Sequence, residues 1–294
     1  FDSLFAHQYF MKIDKLNNLL ELFYHQYQNQ KKDDIFLESL KEPRKKHSWE
    51  DIYLNINKLS EKISEFINEG DRCLLISENR PEWMISDLSI MLSGGVTVPA
   101  YTTYTERDYE YIIDNCEPCI VFVSDKIQYE KIKNLIPKKK FIKKVIFFDY
   151  INNLNNNFNL DINTIFKKQN YRVKNFLELK IKRKNLACII YTSGTQGNPK
   201  GVMLSHGGIL SNCEGSCRLL NPMVTTQPKF LTWLPLSHSY EHTIQFVQIA
   251  VAAKVFYAES IEKLIQNMSE CRPEIMTAVP RFYQNLYNKI NVTF

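Results

Sequence analysis

Glycine is scarce in this chain. Nine of 294 residues are glycine, where ordinary usage is about 7%, so glycine is not used here as general loop filler. Long apolar runs are missing as well. The best, Ile244 to Ala258, is broken by Gln245, Gln248 and Lys254 and falls short of the ~20 residues of a membrane span. The N-terminus has no basic stretch leading into an apolar one, so no secretory signal is expected. Cys116-Glu-Pro-Cys119 has no second CxxC to complete a four-ligand zinc site. No repeat period appears, which excludes a solenoid.

The totals that remain are those of a soluble globular protein: 44% apolar and 23% charged residues. The seven cysteines are scattered, and Cys213 and Cys217 share one face if their segment is helical; the expectation is reduced, structural thiols in a cytoplasmic protein. Met11 opens a segment that reads as a natural start, so residues 1–10 are expected to be an upstream extension, with one large domain over 11–294. The net charge of +5 conceals an asymmetry, because residues 126–184 hold 16 Lys/Arg against 4 Asp/Glu. This basic, Asn-rich segment reads first as a solvated, loosely structured surface. The sharper alternative is peripheral contact with an anionic membrane. Nucleic acid is disfavoured, since no helix-turn-helix or aromatic-interleaved pattern accompanies the charge.

Along the chain, apolar periodicities alternate. Trp49, Ile52, Tyr53, Ile56, Leu59, Ile63 and Phe66 follow helical spacing behind Ser48, a natural cap, and Gly70 stands where a helix C-cap belongs. Cys73–Ile76 is a short buried run. Pro81 opens a second helix that reaches Gly94-Gly95, and Val96-Thr-Val98 is a strand closed by Pro99. Helices over 108–116 and 126–135 then alternate with strands over 120–123, 145–148 and 186–190. This order predicts βαβ units: an α/β fold with mainly parallel strands and helices on both faces.

Six of the nine glycines fall between Gly194 and Gly215, and the densest polar stretch leaves the end of the 186–190 strand: Tyr191-Thr-Ser-Gly-Thr-Gln-Gly-Asn-Pro-Lys-Gly-Val-Met-Leu-Ser-His206. Ligands of open α/β sheets bind beyond the carboxyl ends of strands. Thr192, Ser193 and Thr195 supply hydroxyls, Gly194 and Gly197 free the backbone amides, and Lys200 supplies a charge. Such a nest of donors suits a polyphosphate. It is neither a Walker A loop nor GxGxxG, because Pro199 precedes the lysine and Gly201 follows it. His238, in a Pro-x-x-His context, is a second candidate, able to face a phosphate or carboxylate. His206 reads as a capping or packing residue, and Trp49, Trp83 and Trp233 as core aromatics.

Residues 191–206 resemble the phosphate loop of the adenylate-forming (AMP-binding) superfamily, with Gln196 where the family usually has threonine. Ser77 to Thr105, Leu234 to Thr243 (with His238 and Glu241) and Thr277 to Ile290 resemble segments of the long-chain fatty-acid CoA ligases. The resemblance implies stacked, mainly parallel sheets with helices on their faces, forming the N-terminal portion of the family's large domain. It implies ATP-dependent conversion of a long-chain fatty acid to an acyl-adenylate and then a thioester of coenzyme A. By resemblance, Thr192 contributes to a Mg2+ site. Ser193, Gly194, Thr195, Gln196, Gly197 and Lys200 cradle phosphates, and His238 lines the passage between acyl and nucleotide sites. Segments that the family uses for adenine, ribose and a metal-binding glutamate are not found before residue 294. The expectation is therefore an N-terminal fragment inactive alone. The alternatives are a non-catalytic nucleotide- or acyl-binding remnant, or one subunit of a split ligase partnered by a C-terminal half.

Overall fold

The computed structural model describes residues 12–293 apart from 153, 155, 193–197, 221–222 and 225; for positions 285, 286 and 289–293 it describes the backbone alone. The chain runs α1 (Leu19–Asn29), β1 (Ile35–Ser39), β2 (Lys46–Ser48), α2 (Trp49–Ile63), β3 (Arg72–Ile76), α3 (Pro81–Leu92), β4 (Val96–Ala100), α4 (Glu106–Cys116), β5 (Ile120–Val123), α5 (Lys126–Glu130), β6 (Lys144–Phe147), β7 (Asn159–Asp161) and α6 (Ile162–Phe166). It continues β8 (Leu186–Thr192), β9 (Lys200–Ser205), α7 (His206–Leu220), β10 (Lys229–Thr232), α8 (Ser239–Ala250), β11 (Lys254–Tyr257), α9 (Leu264–Cys271), β12 (Ile275–Met276) and α10 (Pro280–Thr293). The fold is α/β with two sheets. One has the strand order β7-β6-β5-β3-β4-β8-β9, the other β12-β10-β11-β1-β2. Pairing is parallel except at the edges, where β9 runs against β8 and β2 against β1.

Local chemistry explains the elements. Ser48 and Asp51 form a reciprocal capping box that starts α2, and Thr105 and Asp108 do the same for α4. Gly70, at φ +84°, turns the chain out of the α2 region and donates its N–H to the Gly94 carbonyl at 2.8 Å. Pro81 occupies the first turn of α3. Every residue of α3 is buried, because the helix lies in the layer shared by both sheets.

Period-two alternation distributes the strands over separate cores. Cys73 and Leu75 of β3 face the central core, which also takes Phe36 and Leu37 from β1 and Val255 and Tyr257 from β11. Leu74 and Ile76 face the opposite side, against Tyr109, Ile112 and Ile113 of α4. On the far side of the smaller sheet, Leu231 and Phe256 pack with Leu264 and Cys271 of α9. The segment 126–184 supplies α5, β6, β7 and α6, then runs without a regular element to β8 while placing Phe176 in the central core.

Several boundaries differ from the sequence reading. The helix expected over 126–135 ends at Glu130 and continues as turns. Pro99 does not close β4 but lies within it opposite Leu75, while pairing with β8 is confined to Thr97 and Cys188. A proline is tolerated where no ladder hydrogen bond is asked of it. β12 stops at Met276, because Thr277 is diverted: its carbonyl accepts from Trp233 Nε1 at 2.6 Å and its hydroxyl donates to Glu241 at 2.7 Å. Trp49 and Trp83 are buried, whereas Trp233 is half-buried. All seven cysteines are free and buried, Cys213 and Cys217 together on α7.

Candidate nucleotide site

Strand β8 is buried along most of its length and emerges at Thr192, which is exposed. The chain returns as β9 with Lys200 directly opposite Thr192 and Gly201 opposite Tyr191. A Cβ on Gly201 would sit 2.9 Å from Ile189 Cγ2 and 3.3 Å from the Tyr191 ring, so glycine is what lets the two arms close. Tyr191 is fixed by its hydroxyl donating to Asn115 Oδ1 at 2.5 Å. Lys200 is exposed and has no ion pair among the described residues. The hairpin therefore holds a hydroxyl and an ammonium side by side at the carboxyl end of the sheet. Ser193, Gly194, Thr195, Gln196 and Gly197 lie outside the described residues.

His238 stands at the carboxyl end of the other sheet. It is the N-cap of α8, and its Nδ1 accepts the Tyr240 N–H at 3.2 Å. That bond places the proton of the neutral ring on Nε2, and the side chain is exposed. Asn79, just past the end of β3, holds the loop that carries His238: its Nδ2 donates to the Leu234 carbonyl at 2.7 Å and its Oδ1 accepts from Leu236 N–H at 3.0 Å. One side chain thus ties the carboxyl edges of the two sheets together. His206 is a packing residue: it is 2% exposed, and its Nδ1 accepts from Leu19 N–H at 3.3 Å.

Behind His238 lies a polar seam that sequence reasoning missed. Asp87 of α3 accepts from His242 Nε2 at 2.7 Å and from Gln245 Nε2 at 2.9 Å. His242 and Asp87 are 1% and 0% exposed. Burial opposes the charged imidazole, but the Asp87 carboxylate, with Cys188 beside it, outweighs burial and pushes His242 up to about 10. Glu241, one residue earlier, has no cation beside it. Burial raises its carboxyl to about 7, only partly offset by the Thr277 hydroxyl. The signal available in the sequence was a run of polar residues on α8 at helical spacing, Glu241, His242, Gln245 and Gln248, all buried.

Two mainly parallel sheets thus carry a hydroxyl–lysine hairpin at one carboxyl edge and a histidine-capped helix at the other. The chain belongs to the AMP-binding enzyme family, which it matches over residues 23–293. It is 31% identical over 256 residues to long chain acyl-CoA synthetase 4 of Arabidopsis thaliana, an alignment that takes 82% of this chain and 38% of the relative. It is 28% identical to long-chain-fatty-acid--CoA ligase 1 of Homo sapiens, over 81% of this chain and 36% of that one. The chain thus spans well under half the length of these relatives, matching their N-terminal part. Among solved structures, a long-chain-fatty-acid-CoA ligase from Archaeoglobus fulgidus superposes with a TM-score of 0.80 at 18% identity, over 94% of this chain and 54% of that one.

Among the described residues, no group of three or more His, Cys, Asp or Glu side chains could hold a metal ion. Thr192 offers one neutral oxygen, whereas magnesium takes octahedral oxygen ligands that include carboxylates and phosphates. The described residues do not make a complete magnesium site. No helix among them is long and apolar enough to cross a membrane.

Proposed function

We propose that this chain is the nucleotide-binding part of an ATP-dependent long-chain fatty-acid CoA ligase. The reaction joins a fatty carboxylate to the α-phosphate of ATP with release of pyrophosphate, then passes the acyl group to the thiol of coenzyme A. The observation that carries this reading is the hairpin pairing of Thr192 with Lys200 at the carboxyl end of β8. The reaction sets a carboxylate against a polyphosphate, so positioning and charge neutralisation dominate. Lys200 supplies a free cation to the phosphates, Thr192 a hydroxyl, and residues 193–197 the remaining donors of the cradle. A magnesium ion would enter with the triphosphate, Thr192 adding one oxygen to those of the nucleotide. His238 offers Nε2–H toward developing negative charge, held in place by Asn79 and by its own cap bond. The long-chain character is carried over from the curated relatives, whose names describe such ligases.

The test is ATP–pyrophosphate exchange and thioester formation with palmitate and coenzyme A. The chain is assayed alone and again when extended by the C-terminal region its relatives carry. The extended protein should turn over and lose activity on Lys200→Ala, and the chain alone should form no thioester. Turnover of the extended protein that is indifferent to Lys200→Ala would remove the phosphate-loop assignment. Failure of the extended protein to turn over at all would favour a non-catalytic binding remnant.

A further inference from the structure

A cleft of about 360 Å³ opens at the opposite end of the same sheet. It lies at the amino ends of β4 and β8, around Val96 and Leu186, whereas Thr192 is at the carboxyl end of β8. Seven residues of strand separate the two places, about 20 Å. A molecule in the cleft would not touch the phosphate hairpin.

The walls are mostly apolar: Met91, Leu92, Val96, Leu179, Ile181 and Leu186. Of the polar groups, the Ser93 hydroxyl donates to the backbone carbonyls of Ser60 and Ser89, and Asn185 Oδ1 accepts from Lys182 N–H. His206 forms part of the wall at 2% exposure. Its Nδ1 already accepts from Leu19 N–H, and Nε2 has no partner among the described residues. Burial holds the imidazole down at about 4, partly offset by Asp87, so the ring is neutral at physiological pH. A neutral ring that accepts at Nδ1 carries its proton at Nε2. The wall therefore presents one fixed donor at the cleft surface, without a partner among the described residues. Lys180, exposed on the lining and in no ion pair among the described residues, adds a second donor. Glu69 is the one carboxylate on the lining, and it is exposed.

We propose that this cleft is a second ligand site, separate from the nucleotide site, for a small amphipathic carboxylate: the hydrocarbon body lies on the apolar walls while the carboxylate accepts from His206 Nε2–H and Lys180. The two donors choose an acceptor head group, the neutral state of His206 keeps its donor in place across the physiological range, and the volume limits the body to a short chain. Glu69 opposes the anion and weakens the site.

Sodium octanoate serves as the probe, added to the full chain and followed by backbone amide NMR and calorimetry. Binding should be weak, in the millimolar range, with shifts confined to Gly70, Gly94, Gly95, Lys180 and Leu186. Lys180→Ala, an exposed change that leaves the fold intact, should weaken binding about two- to five-fold, and Glu69→Gln should tighten it by a similar factor. Leu179→Trp, which fills the cleft from a half-buried position, should abolish it. Octylamine, with the same body and a donor head, should not bind. Three results would overturn the proposal: no octanoate response at millimolar concentrations, octylamine binding as well as octanoate, or shifts at Thr192, Lys200 and His238 instead. The last result would leave the ligase reading untouched, since it would place the acid at the proposed reaction site.

Discussion

Helix α8 carries two regions of opposite character. At its N-terminus His238 is exposed and makes a single side-chain bond, to the Tyr240 amide. Immediately after it, Glu241, His242, Gln245 and Gln248 are buried, and His242 and Gln245 converge on Asp87 of α3. The hairpin edge resembles the first region: Thr192 and Lys200 are exposed, and Lys200 is unpaired among the described residues. Polar groups thus serve two purposes here. Those at the carboxyl edges are exposed. In the seam, bonds between side chains, His242 and Gln245 to Asp87, hold α8, and with it His238, against α3. Substitutions in the two regions should separate stability from ligand binding.

The largest effect is expected in the seam. Asp87→Ala leaves His242 buried without its carboxylate and should cost about 3–5 kcal/mol, read from urea or thermal denaturation. The ion pair also predicts a pH dependence. The folded His242 sits at about 10, above the unfolded value of about 6.5. Its contribution is present in full below about pH 6.5 and is lost as pH rises toward 10. Asp87→Asn should flatten that decline; an unchanged slope would mean that the pair carries no charge.

At the edge the balance reverses. Lys200→Ala and Thr192→Ala should each weaken ATP binding by about 1.5–3 kcal/mol, the worth of a charge-assisted contact, with stability changed by less than about 0.5 kcal/mol. Calorimetric titration with ATP beside a melting curve checks both halves of the statement. If either variant melted early and bound ATP normally, the edge would be structural and the comparison would collapse.

Glu241 sharpens the boundary between the regions. Its folded carboxyl, at about 7, lies above the unfolded value of about 4.3, so the native state holds the proton more tightly. Stability should fall as pH rises from about 4.3 to 7. Glu241→Gln, which keeps an acceptor for Thr277, should remove that fall and gain on the order of 1–2 kcal/mol at pH 8. Denaturation at pH 5 and pH 8 separates the outcomes, because equal changes at both would contradict a titrating Glu241.

A modest stability effect belongs to His238→Ala. Losing the cap bond should cost about 1 kcal/mol or less, while adenylate formation in the extended protein should slow by more than that loss explains. Normal turnover in a variant that only melts earlier would make His238 a structural cap.

The local sequence determined what depends on near neighbours. Alternating periodicities were enough for the α/β class, because a strand or helix is written in residues two to four apart. Ser48 with its cap and Pro81 at a helix start were legible for the same reason; Gly70 was not the helix C-cap its position suggested, since α2 ends at Ile63 with Ser64 as its cap and Gly70 turns the chain further on at φ +84°. The stretch from Thr192 to Lys200 announced itself through the density of hydroxyl, glycine and lysine, and its place after β8 followed from strand order. Tertiary structure alone decided the rest. His242 meets Asp87 across 155 positions, and Asn79 meets Leu234 across 155 as well; nothing local distinguishes either from a solvated polar residue. Burial raises the carboxyl of Glu241, which has no cation beside it, whereas it opposes the charged imidazole of His242, which the Asp87 carboxylate raises nonetheless. The sign and size of such shifts depend on which opposite charge the fold delivers into a low-dielectric interior, and that is a property of packing.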